Sequence, residues 1–283
     1  MKKSRLVVLM TALAVMSTLV LAACGGDDSS DPGDSTSASS SFESELINEG
    51  TLTVGSDIPF PPFEFGKAPD YDGFDIDLVN AIAEDLGLEV DIQDTSFDTI
   101  FTDVAQGKFD MVASASTITP ERQQTVNFSD PYYEAEQALL VPEGSDITSV
   151  EDLSGLTIGA QDGTTGEAYA NEETDAGQVR GFPNGPAAIA ALSNGQVEAT
   201  IIDQPVAQDA IDKGQSGFEV ATTIPTGELY GLAFSKKNTE LLSAVNESMV
   251  KLKDDGGLTT IYQEWFKIDP PEAVLDGTTE VIE

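Results

Sequence analysis

The chain has 283 residues, with 13 Lys and Arg against 50 Asp and Glu, a net charge of −37, no histidine and a single cysteine. So acidic a surface repels nucleic acid and anionic membrane faces, which argues against both as partners. One cysteine rules out a small fold held by internal disulfides, and the length allows a sizeable core without a metal staple.

The N-terminus is charged at Lys2, Lys3 and Arg5, then apolar from Leu6 to Ala23 except for Thr11, Ser17 and Thr18. That is the layout of a secretory signal peptide, expected over residues 1–23. It ends in Leu21-Ala22-Ala23-Cys24, which resembles the bacterial lipobox and implies cleavage before Cys24 with lipid on its sulfur. An uncleaved membrane anchor is the alternative, although a spanning helix usually needs about 20 apolar residues. The 260 residues that remain suit one large or two ordinary domains. Gly25–Ser41 holds only Gly, Asp, Ser, Pro, Thr and Ala and cannot bury apolar surface. Residues 24–41 therefore read as a lipid-bearing cysteine and a solvated tether, with folded structure starting near Phe42.

From Thr51 onward, short apolar runs alternate with helical patterns. Leu52 and Val54 start a strand, and Ile76, Val79, Ile82, Ala83 and Leu86 fall at helical spacing before Gly87. Leu88, Val90 and Ile92 alternate with polar positions as a half-buried strand. Ile100, Phe101 and Val104 share a helix face, and Asp110–Ser114 reads as a strand. Further strands are expected at Thr157–Ala160 and Ala199–Asp203, with helices at Gly166–Asn171 and Pro186–Ser193. Two more helices carry Leu241, Leu242, Val245, Met249 and Leu252, and then Ile261, Trp265 and Phe266. Strands alternating with helices imply an α/β fold of mostly parallel sheets, whose ligands bind beyond the carboxyl ends of strands.

Four segments place polar or aromatic residues at such ends. In Gly55–Phe63, three prolines within four positions make a stiff loop able to hold Phe60 out as a flat wall, with Phe63 and Phe65 assigned to the core. In Ser114–Arg122, Thr119-Pro120 reads as the capped start of a helix whose free N–H groups favour an anion, and Arg122 adds a bidentate grip on a carboxylate. A surface salt bridge is the plainer role for Arg122. Gln161–Gly166 is a glycine-bearing turn opening a helix, without the spacing or lysine of a phosphate loop. Asp203 ends a buried strand, where a carboxylate needs a cation: a ligand ammonium, or an internal Lys or Arg.

Taken in order, Thr53-Val54-Gly55, Pro62-Phe63-Glu64-Phe65, Gly73-Phe74-Asp75-Ile76-Asp77-Leu78, Ile118-Thr119-Pro120-Glu121-Arg122, Phe128-Ser129-Asp130-Pro131-Tyr132-Tyr133, Gly163-Thr164-Thr165 and Ile261-Tyr262-Gln263-Glu264-Trp265-Phe266 resemble the polar-amino-acid-binding family of bacterial extracellular solute-binding proteins. The resemblance spans residues 46–267. It implies a two-lobed periplasmic-binding-protein fold with two hinge crossings, lobe 1 at 42–133 plus 229–283 and lobe 2 at 134–228. It also implies that Phe60 and Phe97 sandwich the ligand side chain, and that Ser114, Ala115, Thr117, Arg122 and Thr165 hold the ligand carboxylate. Asp203, helped by the Ala115 carbonyl, would take the α-ammonium, while Asp57 and Gln161 face the side chain. A monomer that hands a free amino acid to an ABC permease follows, without cofactor or metal.

An enzyme on the same fold is the competing class, since dehydratases are offshoots of this family. It would need a general acid or base, and without histidine only carboxylates, Lys or Tyr remain. Complementary grips on both ends of an amino acid suit cargo that leaves unchanged. A subunit handing ligand to a signalling receptor is a third reading.

Overall fold

The computed structural model describes residues 42–277, so the signal, Cys24 and tether assignments lie outside the described residues. After a 3-10 turn at Phe42–Glu45, the chain forms β1 (Thr51–Ser56), a hairpin of β2 (Phe65–Lys67) and β3 (Asp70–Asp72), then α1 (Phe74–Leu86) and β4 (Glu89–Asp94). Next come α2 (Phe97–Ala105), β5 (Met111–Val112), α3 (Arg122–Thr125) and β6 (Val126–Phe128). The crossing strand β7 (Tyr133–Pro142) leads into the second lobe. There β8 (Thr157–Gln161), α4 (Thr165–Glu172), β9 (Gln178–Phe182), α5 (Gly185–Ser193), β10 (Ala199–Asp203) and α6 (Gln204–Asp212) alternate. The second crossing, β11 (Phe218–Tyr230), returns the chain to β12 (Ala233–Ser235), α7 (Thr239–Asp255), α8 (Gly257–Trp265) and α9 (Glu272–Leu275).

Each lobe is built on one five-stranded sheet, ordered β4-β1-β5-β12-β6 in the first and β11-β7-β10-β8-β9 in the second. Both sheets are mixed. β1 is parallel to β4 and β5, and β8 to β9 and β10, whereas β12, β7 and β11 pair antiparallel. The antiparallel members are the strands that carry the chain between lobes, or the one entered directly from a crossing.

The helix periodicities hold. Ile76, Val79, Ile82 and Ala83 are buried on α1, which Gly87 closes in a left-handed conformation at φ 70°. Asn184 caps α5 through its side chain, accepting from Ala187 N at 2.9 Å. Two elements are shorter than their sequence pattern. β5 pairs in register at Met111 and Val112, with Asp110 N and Ala113 N bonding to β1 carbonyls on either side, before the backbone turns at Ala115 to φ 42°. α3 is a single turn, although Thr119 still caps it, its Oγ1 accepting from Arg122 N at 3.1 Å and its carbonyl from Gln123 N at 2.9 Å.

The first lobe's core is aromatic at the point where both crossings leave it. Phe63, Phe74, Tyr132, Tyr230 and Tyr262 are fully buried, with Phe63–Tyr133 and Tyr133–Phe266 ring centroids 5.0 and 4.9 Å apart. Burying each such ring is worth about 1.5–3 kcal/mol. Gly73 is obligatory here: at φ 136°, a Cβ would lie 2.1 Å from the Phe63 carbonyl oxygen. That approach lets Asp75 N donate to the same carbonyl at 2.9 Å, fixing the proline-rich loop to the start of α1.

On another face, Lys213 at the end of α6 places its Nζ 4.7 Å from the ring centre of Phe65 on β2, while pairing with Asp209 at 3.0 Å. Phe65 in turn meets Trp265 edge-on at 5.8 Å, and the indole N–H donates to Asp77 at 2.7 Å. Among the described residues, no helix is long and apolar enough to cross a membrane.

Candidate ligand-binding site

A narrow cavity opens between the lobes. All ten residues singled out from the sequence line it: Asp57, Phe60, Phe97, Ser114, Ala115, Thr117, Arg122, Gln161, Thr165 and Asp203, together with Thr164.

The first lobe contributes three strand-end segments. Past β1, Asp57 N donates to Ser114 Oγ at 2.9 Å, and Phe60 N donates to the Glu64 carbonyl at 2.7 Å, which fixes the loop on which Phe60 stands. Phe60 packs against the start of α5 in the other lobe, where a Cβ on Gly185 would lie 2.9 Å from its ring. At the start of α2, Phe97 faces the cavity with Arg122 beside it; the guanidinium carbon is 5.2 Å from its ring centre and 4.7 Å from that of Phe101. After β5, the Ser114–Thr117 turn presents Ala115 in a left-handed conformation uncommon for a residue with a Cβ.

Among the described residues, Arg122 is the single basic residue lining the cavity. Its Nη1 donates to the Thr117 carbonyl at 2.8 Å and its Nη2 to the Gly163 carbonyl of the second lobe at 3.1 Å. Burial pulls its pKa down to about 10, and the nearby Glu228 and Asp203 work against that pull. It stays charged at neutral pH, and of its five N–H donors these two bonds leave others free for a carboxylate.

The second lobe supplies Gln161 at the end of β8, whose Nε2 donates to Asp57 Oδ2 at 2.5 Å across the cleft. Thr164 caps α4, accepting from Glu167 N at 3.1 Å, and Thr165 opens the helix. Asp203 ends β10 with Gln137 as its hydrogen-bond donor and no ion pair. Burial, then the neighbouring Glu228, raises its pKa to about 7. Asp57 is pushed up to about 6, chiefly by burial, against the opposing effect of its bond from Gln161. Of the internal Lys or Arg partners considered for Asp203, Arg122 is near enough to lower its pKa but does not bond to it directly.

Residues 52–268 match the bacterial extracellular solute-binding proteins, family 3. The chain belongs to that family. This solute-binding protein is 32% identical over 265 residues to the ABC transporter glutamine-binding protein GlnH of Bacillus subtilis (strain 168), covering 92% of this chain and 97% of the relative. It is 30% identical over 264 residues to a probable histidine-binding protein of Neisseria gonorrhoeae, covering 90% and 94%. Among solved structures, the arginine-, lysine-, histidine-binding protein ArtJ of Geobacillus stearothermophilus is similar at TM-score 0.75 and 35% identity, over 80% of this chain and 99% of that one. These relatives bind solutes, and this chain is a solute-binding protein rather than an enzyme.

The binding protein also brings residues to the cleft that its sequence does not advertise. Glu228, on the crossing strand β11, is 5% exposed and accepts from Thr117 Oγ1, from Thr165 Oγ1 at 2.8 Å and from Gln137 Nε2 at 3.1 Å. One carboxyl group thus touches both lobes and the other crossing. Each threonine hydroxyl has one proton, and here both go to Glu228. Ser114 Oγ is likewise engaged, donating to Glu64 at 2.8 Å. The sequence signal for Glu228 is only an acid two residues before a tyrosine in an otherwise unremarked strand. Among the described residues, no group of three His, Cys, Asp or Glu is arranged to hold a metal ion.

Proposed function

We propose that this protein captures a polar or cationic amino acid by closing two lobes, residues 42–133 plus 229–283 and residues 134–228, and delivers it to an ABC importer. The observation that carries this is a single cavity lined by one cation, Arg122, and by Asp203, with the aromatic residues Phe60 and Phe97 also on its wall. A zwitterion needs those two charges, one for its carboxylate and one for its ammonium. The names of the relatives, which include glutamine, histidine and arginine binders, agree.

The side chain follows from the remaining charge. With Asp57, Asp203 and Glu228 against one arginine, an acidic ligand meets repulsion, while an amide or cation meets acceptors and aromatic faces. In a thermal-shift screen, arginine, lysine, histidine or glutamine should raise the melting temperature, and glutamate and aspartate should not. Stabilisation by acidic ligands alone would count against the assignment of Asp57. Arg122→Ala should weaken the best ligand by about 2–5 kcal/mol while the protein stays folded. Wild-type affinity of folded Arg122→Ala in calorimetry sinks the proposed carboxylate grip.

Lipid on Cys24 would hold the protein at the outer face of the cell membrane, close to its permease. Cys24→Ser should release it into the medium or block signal processing. Normal cleavage with unchanged membrane retention would remove the lipid from this account.

A further inference from the structure

Behind the Ser114–Ala115 turn lie two acids that the binding chemistry leaves unused. Glu64 and Asp75 are both fully buried. One oxygen of Glu64 accepts from Ser114 Oγ at 2.8 Å, and Ser114 Oγ itself accepts from Asp57 N at 2.9 Å. One oxygen of Asp75 accepts from Ala115 N at 2.8 Å and from the Tyr132 hydroxyl at 2.8 Å. The second oxygen of each acid, Glu64 Oε2 and Asp75 Oδ1, is buried without a hydrogen-bond partner. Two buried carboxyl groups serving adjacent residues of one turn, each with a spare oxygen, are not both stable as anions.

We propose that Glu64 and Asp75 act as one singly protonated pair beneath the cleft, a positioning device that holds Ser114 and Ala115 where the ligand meets them. Asp75 supplies the acceptor that keeps Ala115 at φ 42°, a conformation costly without such a tie. Glu64 fixes Ser114, and through it the first residue of the Asp57 loop. Burial raises both pKa values, and the charge of Asp75 adds to the rise at Glu64. The titratable groups facing the pair are Asp57 and Asp203 from the cleft, Tyr132 from the crossing and Tyr262 from α8, with no lysine or arginine among them. Loss of the pair's remaining proton on the alkaline side therefore puts a second charge under the turn.

This proposal rests on the reading of the cavity as an amino-acid site. The test is calorimetry with whichever of arginine, lysine, histidine and glutamine most raises the wild-type melting temperature. Asp75→Asn and Glu64→Gln keep the hydrogen bonds, since an amide replaces the protonated partner, and each should bind within a few-fold of wild type at neutral pH. Asp75→Ala leaves Ala115 N unpaired and should weaken binding about tenfold or more with the fold retained. As pH rises, wild type should lose affinity relative to Asp75→Asn; the ligand's own α-amino group titrates alike in both. Wild-type binding by folded Asp75→Ala overturns the proposal, and so does Asp75→Asn as weak as Asp75→Ala. If Asp75→Ala does not fold, the amide variants decide: pH profiles parallel to wild type overturn the shared proton, and flatter ones support it. Wild type binding none of the four amino acids overturns the reading of the site, and this proposal with it.

Discussion

Asp203 ends β10 as a buried acid whose pKa is raised to about 7 by burial and Glu228, against the opposing effects of Tyr230, Gln137 and Arg122. In the unfolded chain the same group titrates near 3.9. Folding therefore costs nothing at this residue while it is protonated in both states. As pH rises from about 4 through about 7, the unfolded chain releases the proton that the folded one retains, and stability falls. Asp57 and Asp75, raised to about 6 and about 7, act in the same direction. The ligand-free melting temperature should thus be higher at about pH 5 than at about pH 8, and Asp203→Asn should flatten that slope. A bound ammonium favours ionised Asp203, so ligand stabilisation should grow toward neutral pH in wild type and less so in the variant. A slope unaltered by Asp203→Asn would assign it to the acidic surface. At this scale the sequence was most informative for residues just past strand ends, where Asp57, Ser114, Gln161 and Asp203 all sit in short local segments. Glu228 and Gln137 escaped because their place in the cleft depends on pairing between β7 and β11, some 90 residues apart, and no local pattern encodes that.

At the scale of elements, helix periods and their glycine or asparagine ends read directly, as in α1 and α5, because those signals are local. Strand extent did not. Asp110–Ser114 has the composition of one strand, yet register pairing stops at Val112, Ala113 N makes the last bond to β1, and Ala115 N turns to Asp75. The interruption serves the site: a continued strand would point the Ser114–Thr117 backbone at its neighbours instead of the cleft. α3 is limited to a turn because the backbone becomes extended at Val126, where β6 begins. Both places border the cavity, through Ala115 and Arg122.

For the molecule as a whole, the lobes meet through few, well-defined contacts: Gln161 with Asp57, Arg122 with the Gly163 carbonyl, Glu228 with a threonine from each side, and Phe60 against Gly185. Ion pairs contribute little to the fold, for only three join side chains among the described residues, each with an exposed lysine. The lysine of one of them, Lys213, also reaches across to Phe65 of the first lobe, and Phe65 abuts the chain's one tryptophan. Trp265 is thereby a built-in optical gauge. Its indole bonds to Asp77 within its own lobe, while the cation on the ring beside it comes from the other lobe, so the proposed closure would alter that contact. Excited at the red edge, where tyrosine does not absorb, the protein should change its emission on titration with a bound amino acid. Lys213→Ala should damp that change while leaving calorimetric affinity near wild type, because Lys213 does not line the cavity. An undiminished signal in Lys213→Ala would place the source of the response elsewhere around the indole.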